Sequence, residues 1–402
     1  MIEGTLCDIK LGDQYPVRIM AVINLSRESF YKGSVTGPAD ALTRAQALVD
    51  EGADILDLGA VSTAPGAPEI SLAEERERMM PVIKAIASSL EVGISVDTQR
   101  AAVADEALTS GATCINDVSG LCDSAMARTV ADHDASAVIL ASKKRPGDLL
   151  TMDEVIPLLS ERIRSAIEMG ISPDKMTVDP GIGHWIPDKF PEYDLALLDG
   201  MRRLRVLGKP VVAALSRKSF LGSILSRPDP SERLLGTLAA TAIAVYNGAH
   251  VVRTHDVAAS LDTINVAMAT RGRIPFAGNA EILSWLGQGN DLQEALRRIE
   301  VDEGGVQVLC KKGSFRVISL SNLSSMEAIV IKQEMLALGG DAATPKLALR
   351  CDPSPEDVLV MGTISQITRL VKRLERQPFN LPAIGKAIDA ALKQIDDPKR
   401  YR

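Results

Sequence analysis

Asp97, Asn116 and Asp179 each close a short apolar run, while Lys218, Arg253 and His255 close or follow two later ones. The first three accept hydrogen bonds and the last three donate them. If the run ends converge, the acceptors would select a planar ring rich in N–H donors and fix its orientation. The cationic half would take an anion, with phosphate the natural fit. Asn24, Ser142, Lys143 and Lys144 end or follow other runs, and Ser62 and Thr63 come shortly after another. Each residue also has a purely structural reading. A strand-end Asp97, or Thr98 beside it, can cap the next helix. Asp179 can shape the turn at Pro180-Gly181, and Asn116 can satisfy a loop backbone. Arg217 and Lys218 can pair with nearby acids, His255 can sit satisfied in a core, and Asp256 can cap the last helix. Lys143 and Lys144 read as exposed. The joint arrangement favours a site, because those separate readings would all have to hold together.

The elements that must carry these groups alternate regularly. Eight β-rich runs occur at 17–24, 54–59, 94–97, 113–117, 136–142, 176–180, 211–216 and 250–255, and the segments between them have helical periodicity. Near-continuous apolar strands separated by helices imply a parallel sheet covered on both faces. Eight such units predict an α/β fold, a closed (β/α)8 TIM barrel, with a doubly wound open sheet as the alternative. A barrel of this kind builds its active site at the C-terminal ends of its strands, and its last two loops often hold phosphate. Lys218, Arg253 and His255 fall in those two loops. Residues 1–16 are expected to form a hairpin beneath the barrel, with Gly12-Asp13 near its turn.

The repeat stops after 272. Residues 273–279 carry Pro and Gly and read as a linker. Residues 280–402 read as a small α+β accessory domain: two helical stretches, a strand pair around VQVLCKKGSFRVISL, a helix SSMEAIVIKQEMLAL, a strand DVLVMG and further helices.

Composition narrows the function classes. The 402 residues carry 45 Lys and Arg against 52 Asp and Glu, a net charge of -7 that argues against a broad nucleic-acid footprint. Five cysteines without C-x-x-C spacing suit neither a disulfide framework nor a structural zinc site. The N-terminus lacks the pattern of a secretory signal, and no apolar run is long enough to span a membrane. A cytoplasmic protein is expected.

INLSRESF (23–30), GADILDLGAVSTAPGA (52–67), ISVDTQRAAVADEAL (94–108), INDVSG (115–120), VDPGIG (178–183), SRKSFLG (216–222) and GTLAATAIAVYNGAHVVRTHDV (236–257) together resemble the dihydropteroate synthases, pterin-binding barrel enzymes. The resemblance implies condensation of a pterin diphosphate with an arylamine, in folate or methanopterin biosynthesis, by a homodimer. It implies that Asp97, Asn116 and Asp179 hydrogen-bond the pterin, and that Lys218 holds the ring and borders the arylamine pocket with Ser219. Arg253 would stack on the ring and reach the diphosphate, His255 would contact the diphosphate, and Asn24 would bind it with Mg2+. Ser62 and Thr63 would also contact substrate. Lys218, Asp179 and Arg253 would carry the catalysis, in which the C–O bond to diphosphate breaks largely before the amine attacks.

The sequence departs from the family where diphosphate and acceptor bind. Ala64 stands where an Arg is usual, Val61 where a Glu is usual, and Ala141-Ser142-Lys143 where Met-His-Met is usual. Arg27, Lys32 or Lys143 is expected to restore the missing charge, and the added cations would suit a phosphorylated arylamine as well as 4-aminobenzoate. Residues 321–343 and 357–379 resemble an accessory segment that precedes the barrel in longer synthases, which leaves a packing role or a lid role open. Two other readings compete: a non-catalytic pterin-binding paralogue, and a methyl-tetrahydropterin:corrinoid methyltransferase. The latter would have no need of the cations after the last two strands.

Overall fold

The computed structural model describes residues 1–26, 40–61, 70–183, 186, 189–272, 276–277, 280–281, 289–345 and 355–394. The chain divides into two compact units, one running to Ile282 and the other from Leu283.

The first unit is the barrel. After a hairpin of β1 (Glu3–Leu6) and β2 (Ile9–Gly12) come eight strands: β3 (Arg18–Asn24), β4 (Ile55–Gly59), β5 (Gly93–Asp97), β6 (Cys114–Asp117), β7 (Ser136–Leu140), β8 (Met176–Asp179), β9 (Val212–Ala213) and β10 (Val251–Thr254). They lie in the order β8-β7-β6-β5-β4-β3-β10-β9. A parallel bridge from Val178 to Val211 joins the two ends, so the sheet closes and the open-sheet alternative is set aside. Each observed strand begins and ends within the expected run, give or take a residue at the ends except for β7 and β9. Those two end early, at Leu140 and Ala213, because residues 141–142 and 214–216 already belong to the mouth loops.

Around the strands run α1 (Ala41–Asp50), α2 (Leu72–Ser89), α3 (Ala101–Thr109), α4 (Ser124–Asp132), α5 (Met152–Glu168), α6 (Pro191–Asp199), α7 (Ser219–Leu225), α8 (Leu234–Tyr246) and α9 (Val257–Arg271). Local chemistry starts several of them. The Ser71 side chain accepts from Glu74 N–H at 3.1 Å, and Thr151 N–H donates to Glu154 Oε2 at 3.0 Å. Both satisfy donors that a helix N-terminus would otherwise leave open.

Register places the chemistry on one level. Asn24 lies beside Gly59, Gly59 beside Asp97, Asp97 beside Asn116, and Leu140 beside Asp179. At the opposite end Leu6, Cys7 and Leu11 pack with Met20, Ile55, Cys114, Val138, Val212 and Val251, so the hairpin fills the barrel floor. Gly93 makes the room: a Cβ there would lie 2.5 Å from Cys7 Cβ.

The hairpin turn differs from expectation. Leu6 pairs with Ile9, which puts the two-residue turn at Cys7-Asp8, with φ of 48° and 60°, and not at Gly12-Asp13. Two positive φ values are what a tight turn between right-twisted strands needs, and here they occur without glycine. Gly12 and Asp13 instead close the hairpin's open end, where Asp13 N–H donates to Ile2 O at 3.0 Å.

Phe276–Ala277 (β11) and Ala280–Glu281 (β12) form a short antiparallel pair within and just after the segment expected as a linker. The second unit then holds α10 (Gly289–Arg298), α11 (Glu303–Gly313), β13 (Phe315–Leu323), α12 (Ser325–Ala337), β14 (Asp341–Ala343), β15 (Glu356–Thr363), α13 (Ile364–Leu374) and α14 (Leu381–Gln394). Its antiparallel sheet runs β13-β15-β14 over a core of its own that includes Leu320, Ile331, Met335, Val358, Val360, Ile367 and Leu374. The strand pair expected around VQVLCKKGSFRVISL is not formed: VQVLCKKG is the body of α11, whose buried Val306 and Cys310 lie one turn apart, and only the second half is a strand. Asp302 caps that helix by accepting from Gly305 N–H.

Candidate active site

Strand ends supply the site, and the closest contacts radiate from a residue inside a strand. Asp57 lies in β4 with no exposed surface. Its Oδ2 accepts from Arg253 Nε at 2.6 Å and from Asn116 Nδ2 at 3.2 Å, while its Oδ1 accepts from Ser95 Oγ at 2.7 Å. Arg253 Nη2 also donates to Asp97 Oδ2 at 2.9 Å. Asp57 therefore ties together Asn116 and Arg253, and through Arg253 it reaches Asp97. Reading strand ends alone misses it. The signal was a carboxylate at an interior position of a run otherwise apolar enough to be buried.

Asp97 does not cap a helix. The N-cap position of α3 is Arg100, whose N–H donates to Thr98 Oγ1 at 3.2 Å. Burial, with Asp57 and Asp117 adding repulsion against the pull of Arg253 and Lys218, pushes the Asp97 carboxyl up to about 7. Asp179 shapes the turn in part, since its Oδ1 accepts from Gly181 N–H at 2.8 Å. Its Oδ2 has no protein partner among the described residues, and burial raises its pKa.

Lys218 precedes α7, and its ammonium has no hydrogen-bond partner among the described residues. Burial lowers it to about 8, with Asp179 and Asp194 pulling up and Arg253 and Lys189 pushing down. Burial likewise opposes the Arg253 charge, but Asp57 and Asp97 outweigh it and hold the guanidinium protonated. Ser219, the first residue of α7, is half-buried beside Lys218.

His255 accepts or donates at both ring nitrogens, with Nδ1 2.8 Å from Ser216 Oγ and Nε2 3.5 Å from Asn24 Nδ2. Burial and the cations Arg253, Arg217 and Lys218 lower it to about 3, so the ring is neutral near pH 7. Arg217 carries a positive φ of 56° and binds Asp256 through two nitrogens, at 2.9 and 2.7 Å. Asp256 thus serves as the anchor of the β9 loop, and no side-chain cap on α9 is made.

Asn24, Asp97, Asn116, Asp179, Lys218, Arg253 and His255 thus share the C-terminal mouth, and the charges of Asp97, Asp179, Lys218 and Arg253 act on one another there. Arg27, Lys32, Ser62 and Thr63 lie outside the described residues. Lys143, Lys144 and Arg145 are exposed on the loop after β7, where Asp148 gathers all three backbone N–H groups at 2.9, 2.7 and 3.2 Å.

Comparison with known proteins agrees with this geometry. The family described as "Pterin binding enzyme" matches residues 20–255. A dihydropteroate synthase of Synechocystis is 37% identical over 262 residues, covering 62% of this chain and 89% of that protein. A probable bifunctional folylpolyglutamate synthase/dihydropteroate synthase of Halobacterium salinarum is 38% identical over 261 residues, and there the chain spans only 31% of the larger protein. The solved dihydropteroate synthase of Coxiella burnetii, in complex with pteroic acid, superposes with a TM-score of 0.61 at 34% identity, covering 68% of this chain and 99% of that one. A buried acceptor set facing cations at the barrel mouth, on a chain with these relatives, places the protein in the pterin-binding enzyme family, as a dihydropteroate synthase.

Proposed function

We propose that the chain condenses 6-hydroxymethyl-7,8-dihydropterin diphosphate with an arylamine and releases diphosphate. The carrying observation is that Asp179 and Lys218 act on each other's charge at the mouth of the barrel, while Asp179 Oδ2 and Lys218 Nζ have no hydrogen-bond partner among the described residues. A pterin offers the N–H donors and ring acceptors that such a pair lacks. Asp97, Asn116 and Asp179 orient the ring, and Lys218 and Arg253 hold its other edge and face. The bond between the exocyclic carbon and diphosphate oxygen breaks, the arylamine nitrogen attacks that carbon, and the amine loses its proton. Arg253 and the neutral His255, steadied by Ser216, stabilise charge on the departing oxygen by position and not by nucleophilic attack.

The residues present fit a magnesium ion at this end. Asn24 offers an amide oxygen at the end of β3, and the neighbouring imidazole is neutral, so it does not repel a cation. Mg2+ commonly takes few protein ligands and completes its shell with substrate phosphates and water. When bound, it supplies charge neutralisation to the leaving diphosphate, and Asn24 would hold it. Diphosphate release on mixing the pterin diphosphate with 4-aminobenzoate tests the reaction. No release with either acceptor named here would reject it.

A phosphorylated arylamine, such as the ribofuranosyl-aminobenzene phosphate of methanopterin-type pathways, is favoured by the exposed Lys143, Lys144 and Arg145. Offering both acceptors in competition decides between them, and a preference for plain 4-aminobenzoate removes this reading. A homodimer is supported by Leu235, Ile243 and Tyr246 along α8 and Val266 on α9, with 80%, 47%, 45% and 69% of their surfaces exposed. Light scattering of wild type against a Leu235→Lys, Val266→Lys double variant tests it, since a monomeric wild type would end the proposal. Among the described residues no helix is long and apolar enough to cross a membrane, and a cytoplasmic setting suits the free thiols of Cys7, Cys114, Cys122 and Cys310.

A further inference from the structure

Between β8 and α6 the chain makes a turn through Gly181 and Gly183, with φ of 73° and 79°. Behind it lies an ion pair that the proposed chemistry does not use. Lys189 Nζ sits 2.9 Å from Asp194 Oδ1, with side-chain exposures of 0% and 3%. Each partner also grips one glycine. Lys189 Nζ donates to Gly181 O at 3.1 Å, and Asp194 Oδ1 accepts from Gly183 N–H at 2.8 Å. Both glycines in turn touch the site. Gly181 N–H donates to Asp179 Oδ1 at 2.8 Å. Gly183 lies against the Lys218 stem, so closely that a Cβ there would come within 2.7–2.9 Å of Lys218 Cδ, Cγ and Cβ.

We infer that the Lys189–Asp194 ion pair is a positioning unit for the reaction: it fixes the Gly181–Gly183 turn on which Asp179 and Lys218 rest, and it sets the field at Lys218 Nζ. This rests on the reading of Asp179 and Lys218 as pterin-holding groups. Charge is the informative feature. A neutral amide pair could make the same backbone bonds without the desolvation cost of two buried ions, so a packing role alone does not call for an ion pair. The charges that act on Lys218 come from every side: Asp179 on β8, Arg253 on β10, Asp97 on β5, Lys189 before α6 and Asp194 within it, with His255 neutral nearby. Asp194 favours the Lys218 cation, Lys189 disfavours it, and Asp194 has the larger influence.

The test compares Asp194→Asn, Lys189→Gln and the double variant in the full chain, through kcat/KM against pH and the melting temperature. Removing the Asp194 charge is expected to move the alkaline limb, where Lys218 loses its proton, down by roughly half a pH unit. Removing the Lys189 charge is expected to move it up. The double variant, which leaves no buried ion unpaired, is expected to fold and to show a smaller downward shift than Asp194→Asn. Opposite shifts in the single variants support the inference. Single variants that lower the melting temperature with an unmoved limb, or that shift it in the same direction, overturn it. If the single variants do not fold, the double variant decides: a downward limb supports the field at Lys218, and an unmoved or upward limb overturns it. Wild-type enzyme without turnover would instead defeat the proposed reaction, so the two failures are separable.

Discussion

At the scale of single residues, the site holds acids that are reluctant to ionise, Asp97 and Asp179, opposite a lysine, Lys218, that gives up its proton early and an arginine, Arg253, that keeps its charge. Asp97, at about 7, becomes a charged acceptor at both oxygens only as its carboxylate forms, and Lys218, at about 8, is mostly a cation only below that value. The free enzyme is therefore expected to show a narrow bell in kcat/KM, rising through pH 7 and falling through pH 8. Asp97→Asn should remove the rising limb, and a pH-rate profile of the two enzymes checks it. Asp57 makes a second case. Asp57→Asn would leave Arg253 held by Asp97 alone, and is expected to lower kcat/KM by about 10–100-fold and stability by about 1–3 kcal/mol. Steady-state kinetics and denaturant titration measure the two effects, and a variant with unchanged kinetics would remove Asp57 from the site.

At the scale of elements, the barrel strands were legible because each is a short buried run bounded by polar residues. The ligand-facing ends followed from the fold's general rule. Asp57 was not legible by that rule, since it stands two residues inside β4, where only the closed sheet shows that an inward carboxylate meets Arg253 from β10. Cys7-Asp8 was hidden for another reason: neither residue announces the positive φ that the Leu6–Ile9 pairing demands. VQVLCKKG misled because apolar residues alternate there as they would in a strand, yet Val306 and Cys310 face one core at helical spacing.

The same scale carries a stability prediction. Asp13 joins the N-terminal segment to the barrel by accepting from Arg205 Nη1 and Nη2 at 2.6 and 2.9 Å and from Ile2 N–H at 2.7 Å. His250 accepts from Val211 N–H at Nδ1, so its Nε2 carries the proton and faces Asp13. Burial works against the Asp13 carboxylate, but Arg205, His250 and the Ile2 N–H outweigh it and hold the pKa well below its usual 3.8. A depressed folded pKa adds stability above the unfolded value and loses it as pH falls. Asp13→Asn is expected to cost about 3–5 kcal/mol at neutral pH by leaving Arg205 unpaired. The difference from wild type should shrink as pH drops below about 4, where the unfolded carboxyl takes up its proton. Urea titrations at pH 7 and pH 3.5 check both statements.

On the scale of the whole molecule, two cores share one chain. The second unit has its own hydrophobic cluster and starts α12 and α13 with reciprocal caps, Ser324 with Glu327 and Thr363 with Gln366. Such a unit holds the parts of an independent folding domain. Calorimetry of the full chain is expected to show two transitions, and a saturating pterin ligand should raise only the one belonging to the barrel. A single transition that moves as one would mean that the two units melt together. The seven-residue stretch, 273–279, that the sequence marked as a linker by its Pro and Gly gave the approximate division, but the antiparallel pairing of Phe276–Ala277 with Ala280–Glu281 was not visible in so short a stretch.

The hairpin that stoppers the barrel floor has a kinetic consequence. With Leu6, Cys7 and Leu11 packed into the floor, that end of the barrel is closed by described residues. Substrates and product would then share the opposite end, where Asp97, Asn116, Asp179, Lys218 and Arg253 stand, for both arrival and departure.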